Sequence, residues 1–73
     1  MAASWPERIR WIAETFEDDN LRALGRRLGV TGQAVSAWTR GETRPSSEAL
    51  SALAWQYPKL NCRWLLTGEG SPV

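Results

Sequence analysis

The segment LRALGRRLGVTGQAVSAWTR, residues 21–40, constrains the fold most strongly, because it predicts two short helices joined by a tight turn. Three leucines beginning at Leu21 recur at i, i+3 and i+7, the spacing that places them on one face of a helix. Gly29 is expected to end this helix, since glycine readily adopts a positive φ, and the Thr31 hydroxyl to cap the next one. The chain therefore reverses direction within about three residues and brings two helices side by side.

The second helix of this pair, predicted at about residues 32–40, has two faces of different character. At about 100° per residue, Val35 and Trp38 fall on the side that packs against the leucines. The other side carries only small or hydrogen-bonding residues: Gln33, Ser36, Ala37 and Arg40. A smooth polar helix face of this kind fits a DNA major groove and reaches base edges, as in a helix-turn-helix. These residues alone also fit a helical hairpin with a solvated outer face.

Two stretches, GVTGQAVSAWTRGETRPSSEALSALA and LNCRWLLTGEG, together resemble the N-terminal DNA-binding domain of phage-type repressors, the Cro and lambda-repressor superfamily. The resemblance covers about residues 20–70 and is strongest to the branch that ends in an LNxxWLLTGEG segment. The residues in family register are Gly29, Val30, Val35, Trp38, Gly41, Pro45, Trp64, Leu65, Thr67 and Gly68. The resemblance implies a compact all-α domain of five helices that binds operator DNA as a sequence-specific regulator, a repressor of phage, prophage or chromosomal origin.

The resemblance also implies that the second helix of the motif, the recognition helix, reads bases. Gln33 is the best base reader, because its amide pairs bidentately with adenine N6 and N7. Ser36 is a short hydrogen-bonding reader, and Ala37 is suited to contact a thymine methyl group. Arg40 is either a guanine reader or a phosphate contact.

Phosphate binding is assigned to Arg22, Thr31, Arg44 and the backbone N–H of Gly32. The chain departs from the family at two of the neighbouring positions. Many relatives have a phosphate-binding Gln where this chain has Leu21, so Arg22 is the nearest replacement. Several relatives have a base-reading Gln where this chain has Gly32, so this helix is expected to read fewer base pairs.

The charge is unevenly divided along a chain whose net charge is only +1. Residues 1–19 carry two Arg and five acids, a net −3, whereas residues 20–45 carry five Arg and one acid, a net +4. Residues 46–73 hold two bases and two acids and balance at zero. The positive charge therefore lies on the predicted motif, where counterion release from DNA phosphates requires it. A solvated helix face with ordinary arginines is the alternative.

Three further helices are predicted around the motif, at about residues 6–16, 47–57 and 62–66. The predicted caps are Ser4, Asp19 or Asn20, Ser46 and Asn61. Gly25 lies in the middle of a predicted helix, where we expect the recognition-helix backbone to come close. The DNA-binding domain is predicted at residues 1–67, and residues 68–73 are predicted to be a flexible tail or the start of a linker.

A two-fold homodimer is expected, because one recognition helix contacts only about four base pairs, too few to select an operator. Of five tryptophans, Trp11 and Trp55 lie outside the apolar stripes, which favours contact with a partner. The alternative is that the fifth helix covers a second side of the first and fourth helices. By resemblance, the fifth helix contacts a second subunit. The predicted dimer or partner surface comprises Trp11, Trp55, Asn61, Cys62 and Leu65.

Composition excludes several other functions. A chain of 73 residues supports one small core, and it has no His and a single cysteine, which excludes zinc ligation and disulfides. We therefore expect no enzyme activity, cofactor, metal or small-molecule substrate, and partners limited to double-stranded DNA and a second copy. No apolar run reaches the length of a membrane span, so a soluble, cytoplasmic, nucleoid-associated protein is expected. A protein-interaction module on the same fold, such as an antitoxin-like domain, is the competing prediction.

Overall fold

Five helices and no strand are present in residues 2–73, the part of the chain that the computed structural model describes. This confirms the predicted all-α, five-helix fold. The predicted domain of residues 1–67 begins at Met1, which lies outside the described residues. The helices are α1 (Trp5–Phe16), α2 (Leu21–Leu28), α3 (Gly32–Thr39), α4 (Ser47–Gln56) and α5 (Cys62–Thr67).

Each helix begins at a polar residue whose side chain accepts a hydrogen bond from the first turn, as the sequence predicts. Ser4 and Glu7 form a reciprocal capping box at α1, which starts one residue earlier than expected. Gly29 ends α2 in the left-handed conformation, with φ of 75°. The five caps are Ser4, Asn20, Thr31, Ser46 and Asn61.

The core contains one face of every helix. The α3 helix packs against both α1 and α2, and α4 packs against α2. Helix α3 is therefore held from two sides through its buried residues Val35 and Trp38, and its remaining face is free for another molecule. The buried apolar residues are Ile9, Ile12, Ala13, Leu24, Leu28, Val35, Trp38, Ala49, Leu53, Tyr57, Leu60, Trp64 and Leu65.

The turn between α2 and α3 explains the glycine in α2. A Cβ on Gly25 would lie 2.8 Å from the Val30 carbonyl oxygen and 3.0 Å from that of Thr31. The Val30 N–H donates to the Gly25 carbonyl oxygen over 2.9 Å, which folds the turn back onto α2. The backbone that comes close at Gly25 is therefore that of the turn and of Thr31, the cap of the recognition helix.

Arg8 is a buried charge that the sequence did not single out. Its side chain donates from Nε to the Ala3 carbonyl oxygen over 2.9 Å and from Nη1 to that of Leu65 over 2.8 Å. The guanidinium also lies 4.0 Å from the centre of the Trp5 ring. Burial, and then the nearby charge of Arg44, lowers the pKa of Arg8. Arg8 thus joins α1 to the last turn of α5.

Glu17 joins three helices where α1 ends. Its Oε2 accepts a hydrogen bond from the Tyr57 hydroxyl over 2.7 Å and from Arg27 Nε over 3.0 Å. Burial, followed by the hydrogen bond to Glu17, raises the pKa of Tyr57. The end of α1 is therefore connected to α2 through Arg27 and to the end of α4 through Tyr57.

The C-terminal segment, predicted as a flexible tail or the start of a linker, is hydrogen-bonded to the residue that caps α5. The backbone N–H of Asn61 donates to the Pro72 carbonyl oxygen over 2.7 Å, and Asn61 Nδ2 donates to that of Ser71 over 2.9 Å. Gly68 is buried and accepts a backbone hydrogen bond from Ala3 over 3.0 Å. Residues 68–73 therefore fold back against the start of α5. None of the helices within residues 2–73 has the length and apolar composition needed to cross a bilayer.

Candidate nucleic-acid interface

The four predicted base-reading residues lie together on the outer face of α3. Gln33 and Arg40 are exposed, and Ser36 and Ala37 are half-buried. On the opposite face Val35 and Trp38 are buried, at 0% and 5% exposure. The buried face holds the helix against the domain, so the polar face has a fixed orientation. This arrangement follows from the 3.6-residue period that the sequence already contained.

The C-terminal end of α3 carries a network of three side chains. Arg40 donates from Nε to Glu42 Oε2 over 2.8 Å and from Nη2 to Glu42 Oε1 over 3.1 Å. Its Nη1 donates to the Ser36 hydroxyl oxygen, one turn earlier on the same face. The hydrogen bonds and charge of Arg40 lower the pKa of Glu42, and those of Glu42 raise the pKa of Arg40. Sequence reasoning counted Glu42 only as a charge, although the Arg-x-Glu spacing was visible.

The N-terminal end of α3 lies against the start of α2. The Thr31 hydroxyl accepts from the Ala34 N–H over 3.1 Å, and its own hydrogen remains available as a donor. A Cβ on Gly32 would lie 3.3 Å from Arg22 Cα, so glycine permits the two helix ends to approach. The N–H groups of the first turn have no partner within a helix and suit an anion.

A shallow, mostly apolar depression of about 440 Å³ lies at this junction. It is bordered by the predicted phosphate-binding residues of α2 and the turn and by the first base-reading residues of α3. The depression therefore places both predicted groups around one surface. Its lining residues are Leu21, Arg22, Thr31, Gly32, Gln33 and Ser36.

Two arginines near the ends of α3 are not paired with a carboxylate in the part of the chain that the structure describes. Within residues 2–73 the ion pairs are Arg27 with Glu17 and Arg40 with Glu42, and neither includes Arg22 or Arg44. Both Arg22, at the start of α2, and Arg44, in the loop after α3, are exposed. An exposed arginine without a neighbouring carboxylate is suited to bind a phosphate.

The loop that carries Arg44 is attached to α3. The backbone N–H of Glu42 donates to the Ala37 carbonyl oxygen over 3.0 Å, which extends the last turn of the helix. Arg10 Nη2 donates to the Thr39 carbonyl oxygen over 2.6 Å, and Pro45 is buried. The loop is therefore anchored at both ends, and Arg44 lies across a shallow depression from the start of α1, near Trp5 and Arg8.

Only some of the residues of the predicted partner surface are exposed to solvent. Trp55 is 84% exposed and Cys62 is exposed. Leu65 is 1% exposed, because its side chain fills the core, so it offers almost no surface to a partner. Trp11 is half-buried, with its ring 5.3 Å from that of Trp64, because α5 covers this side of α1. Asn61 is half-buried and already hydrogen-bonded to the C-terminal segment.

A small apolar groove is lined by Ala54, the residue that precedes Trp55 in α4. The groove lies between α4 and α5, has a volume of about 180 Å³ and includes Leu66, which is 57% exposed. Its other lining residues are Leu50, Ser51, Cys62 and Leu65. Exposed apolar side chains beside a groove are typical of a surface that contacts another molecule.

Comparison with known proteins identifies the central part of the chain. A family model described as "Helix-turn-helix" matches residues 19–57, more than half of the chain. The matched segment begins just before the cap of α2 and extends through the whole of α3 and α4. No curated protein and no solved structure matches the chain.

Proposed function

The chain belongs to the helix-turn-helix family of DNA-binding domains, and on that premise we propose that it is a sequence-specific transcriptional regulator. We further propose a repressor of the phage or prophage type that binds an operator with α3 in the major groove, in the cytoplasm at the nucleoid. The observation that carries this proposal is the outer face of α3, which is polar, oriented by a buried opposite face and flanked by Arg22 and Arg44.

The proposed base-reading residues are distributed along α3 from its first turn to its C-terminal end. Gln33 is exposed on the first turn and pairs with an adenine. Ser36 and Ala37 are short enough to let the helix approach the groove closely, with Ala37 against a thymine methyl group. Arg40 contacts either a guanine or a phosphate at the far end.

Phosphate binding is proposed for the residues at both ends of α3. Arg22 and Arg44 supply charge, whereas Thr31 and the Gly32 N–H supply hydrogen-bond donors at the start of the helix. Contacts of this kind set the position of the protein on the duplex and carry no sequence information. They also make the affinity depend on salt, because each neutralised phosphate releases counterions.

A titration of fluorescently labelled random-sequence duplex DNA tests DNA binding itself. Two arginine–phosphate contacts per protomer predict that affinity falls about 12-fold between about 50 and 200 mM salt, from a slope of about −0.9 per contact. Binding that is steep in salt supports the regulator. No binding at low salt contradicts it and favours the competing protein-interaction module, whose partner would meet Trp55.

We also propose that the operator-binding species is a two-fold homodimer. Two copies double the few base pairs that one α3 reads, and symmetry requires half-sites about one helical turn, or 34–36 Å, apart. Trp55 and the α4–α5 groove are the proposed contact, because Trp55 and the groove residue Leu66 are two of the three exposed large apolar side chains of the described residues. Leu65 lines this groove with only 1% of its surface exposed, so it contributes little to the proposed contact.

Footprinting on a selected operator tests the homodimer. A protected region with inverted symmetry supports it, whereas one asymmetric half-site bound one-to-one at saturation contradicts it. Trp55→Gln should weaken binding to the full site and leave binding to an isolated half-site unchanged. Gln56→Ala, a change at the exposed neighbouring residue, serves as the control and should alter neither.

A further inference from the structure

The guanidinium of Arg40 is held by two side chains of its own neighbourhood. Glu42 accepts from Nε over 2.8 Å and from Nη2 over 3.1 Å, and Ser36 accepts from Nη1. A guanidinium has five N–H donors, so these contacts leave two, one on each terminal nitrogen. Guanine presents two acceptors, O6 and N7, in the major groove. The two free N–H groups of Arg40 match these two acceptors in number.

The carboxylate of Glu42 also decides which kind of acceptor suits Arg40. A phosphate approaching Arg40 meets the negative charge of Glu42 within the same ion pair, and like charges at such distances repel. Guanine is neutral and meets no comparable repulsion. Arg22 and Arg44 differ in having no carboxylate partner within residues 2–73, so they remain suited to phosphate.

Both members of the ion pair are attached to the last turn of α3. Arg40 is the C-terminal cap of the helix, and the Glu42 N–H donates to the Ala37 carbonyl oxygen over 3.0 Å. The hydrogen bond to the Ser36 hydroxyl holds the guanidinium near the helix face that carries Gln33. The head group of a long, flexible side chain is thereby kept in one place before DNA binds.

We infer that Glu42 is a positioning residue that holds Arg40 for reading a guanine and that Arg40 does not bind a phosphate. This inference rests on the proposed function and assigns one of the two roles left open for Arg40. Immobilising a free side chain of this kind on binding reduces affinity about 2- to 12-fold, and the ion pair with Glu42 removes that loss in advance.

The test selects bound sequences from a random duplex library with the wild-type chain, Arg40→Ala, Glu42→Gln and Glu14→Gln. Glu14 is an exposed carboxylate of α1 with no ion pair among residues 2–73, so its substitution makes the same charge change away from Arg40. Arg40→Ala should reduce the preference for guanine at one base pair about 5- to 150-fold. Glu42→Gln should reduce it at the same base pair about 2- to 12-fold, and Glu14→Gln should not change it.

The salt dependence gives a second readout that a purely structural role would not alter. Arg40→Ala should leave the salt slope unchanged, because a guanine contact releases no condensed counterion. A slope lower by about one unit, with base preferences unchanged, would overturn the inference and leave the proposed function intact. Glu42→Gln that strengthens binding to all sequences equally would overturn it as well. A wild-type chain that enriches no sequence refutes both.

Discussion

Gly25→Ala distinguishes a local from a tertiary explanation of the glycine in α2. Helix propensity alone predicts that alanine at this position raises the free energy of unfolding by about 1 kcal/mol. The structure predicts the opposite sign, because the added Cβ would lie 2.8 Å from the Val30 oxygen and 3.0 Å from the Thr31 oxygen. Both contacted atoms belong to the backbone, so no side chain can rotate away to relieve the overlap.

The expected magnitude combines these two effects. Overpacking of a close contact costs about 1–3 kcal/mol, and the propensity gain offsets about 1 kcal/mol of it. We therefore expect a decrease of up to about 2 kcal/mol in the free energy of unfolding. For a domain of this size, 1 kcal/mol corresponds to a change in Tm of about 4–8 °C. Operator affinity should also fall, since the displaced turn contains Thr31, which caps α3.

The assay is urea denaturation followed by tryptophan fluorescence or circular dichroism. Arg26 is exposed in the same helix, so the difference between Arg26→Ala and Arg26→Gly measures the alanine–glycine propensity there. Subtracting that difference from the Gly25→Ala result isolates the steric cost. If Gly25→Ala raises stability by as much as alanine gains over glycine at position 26, the steric reasoning is wrong.

Three other predictions concern DNA contacts and pH. In anisotropy titrations, Gln33→Ala should weaken binding to the preferred site by about 1–3 kcal/mol and relax the preference at one base pair, with non-specific binding almost unchanged. An equal loss of affinity on all sequences would make Gln33 a phosphate contact. Arg22→Ala and Arg44→Ala should each lower the salt slope by about one unit and weaken specific and non-specific binding together; altered base preference would contradict this. Tyr57→Phe should lower the free energy of unfolding by about 1.5–3 kcal/mol at neutral pH, because the hydrogen bond to the Glu17 carboxylate is lost. Because the folded-state pKa of Tyr57 is raised, the stabilisation that Tyr57 contributes is present below about pH 10 and is lost as the pH rises above it. Denaturation measured against pH should therefore show a decrease in the free energy of unfolding at alkaline pH, and Tyr57→Phe should reduce that decrease.

The helices and the outer face of α3 could be predicted from the sequence because their causes are local. Caps such as Asn20 and Thr31 act on N–H groups within three residues, and the structure contains both. The face that carries Gln33 follows from the helical period once Val35 and Trp38 are recognised as apolar. These features require no knowledge of what the other helices do.

The partner surface and the polar networks depended on which helices pack together. Trp11 and Trp55 both lie outside the apolar stripes of their helices, yet α5 covers Trp11 and leaves Trp55 84% exposed. Nothing in the neighbourhood of either residue in the sequence distinguishes them. Arg8 likewise binds the Leu65 carbonyl oxygen 57 positions away, a contact that no local pattern indicates.

The helices, their caps and the polar face of α3 therefore follow from the order of residues alone, since periodicity and capping act over a few residues. The burial of Leu65, the close approach of the turn to Gly25 and the hydrogen bonds from Arg40 to Glu42 and Ser36 arise from the way the helices and side chains pack. Those outcomes depend on distances between elements and on side-chain rotamers, which packing selects from several conformations that the chain allows locally.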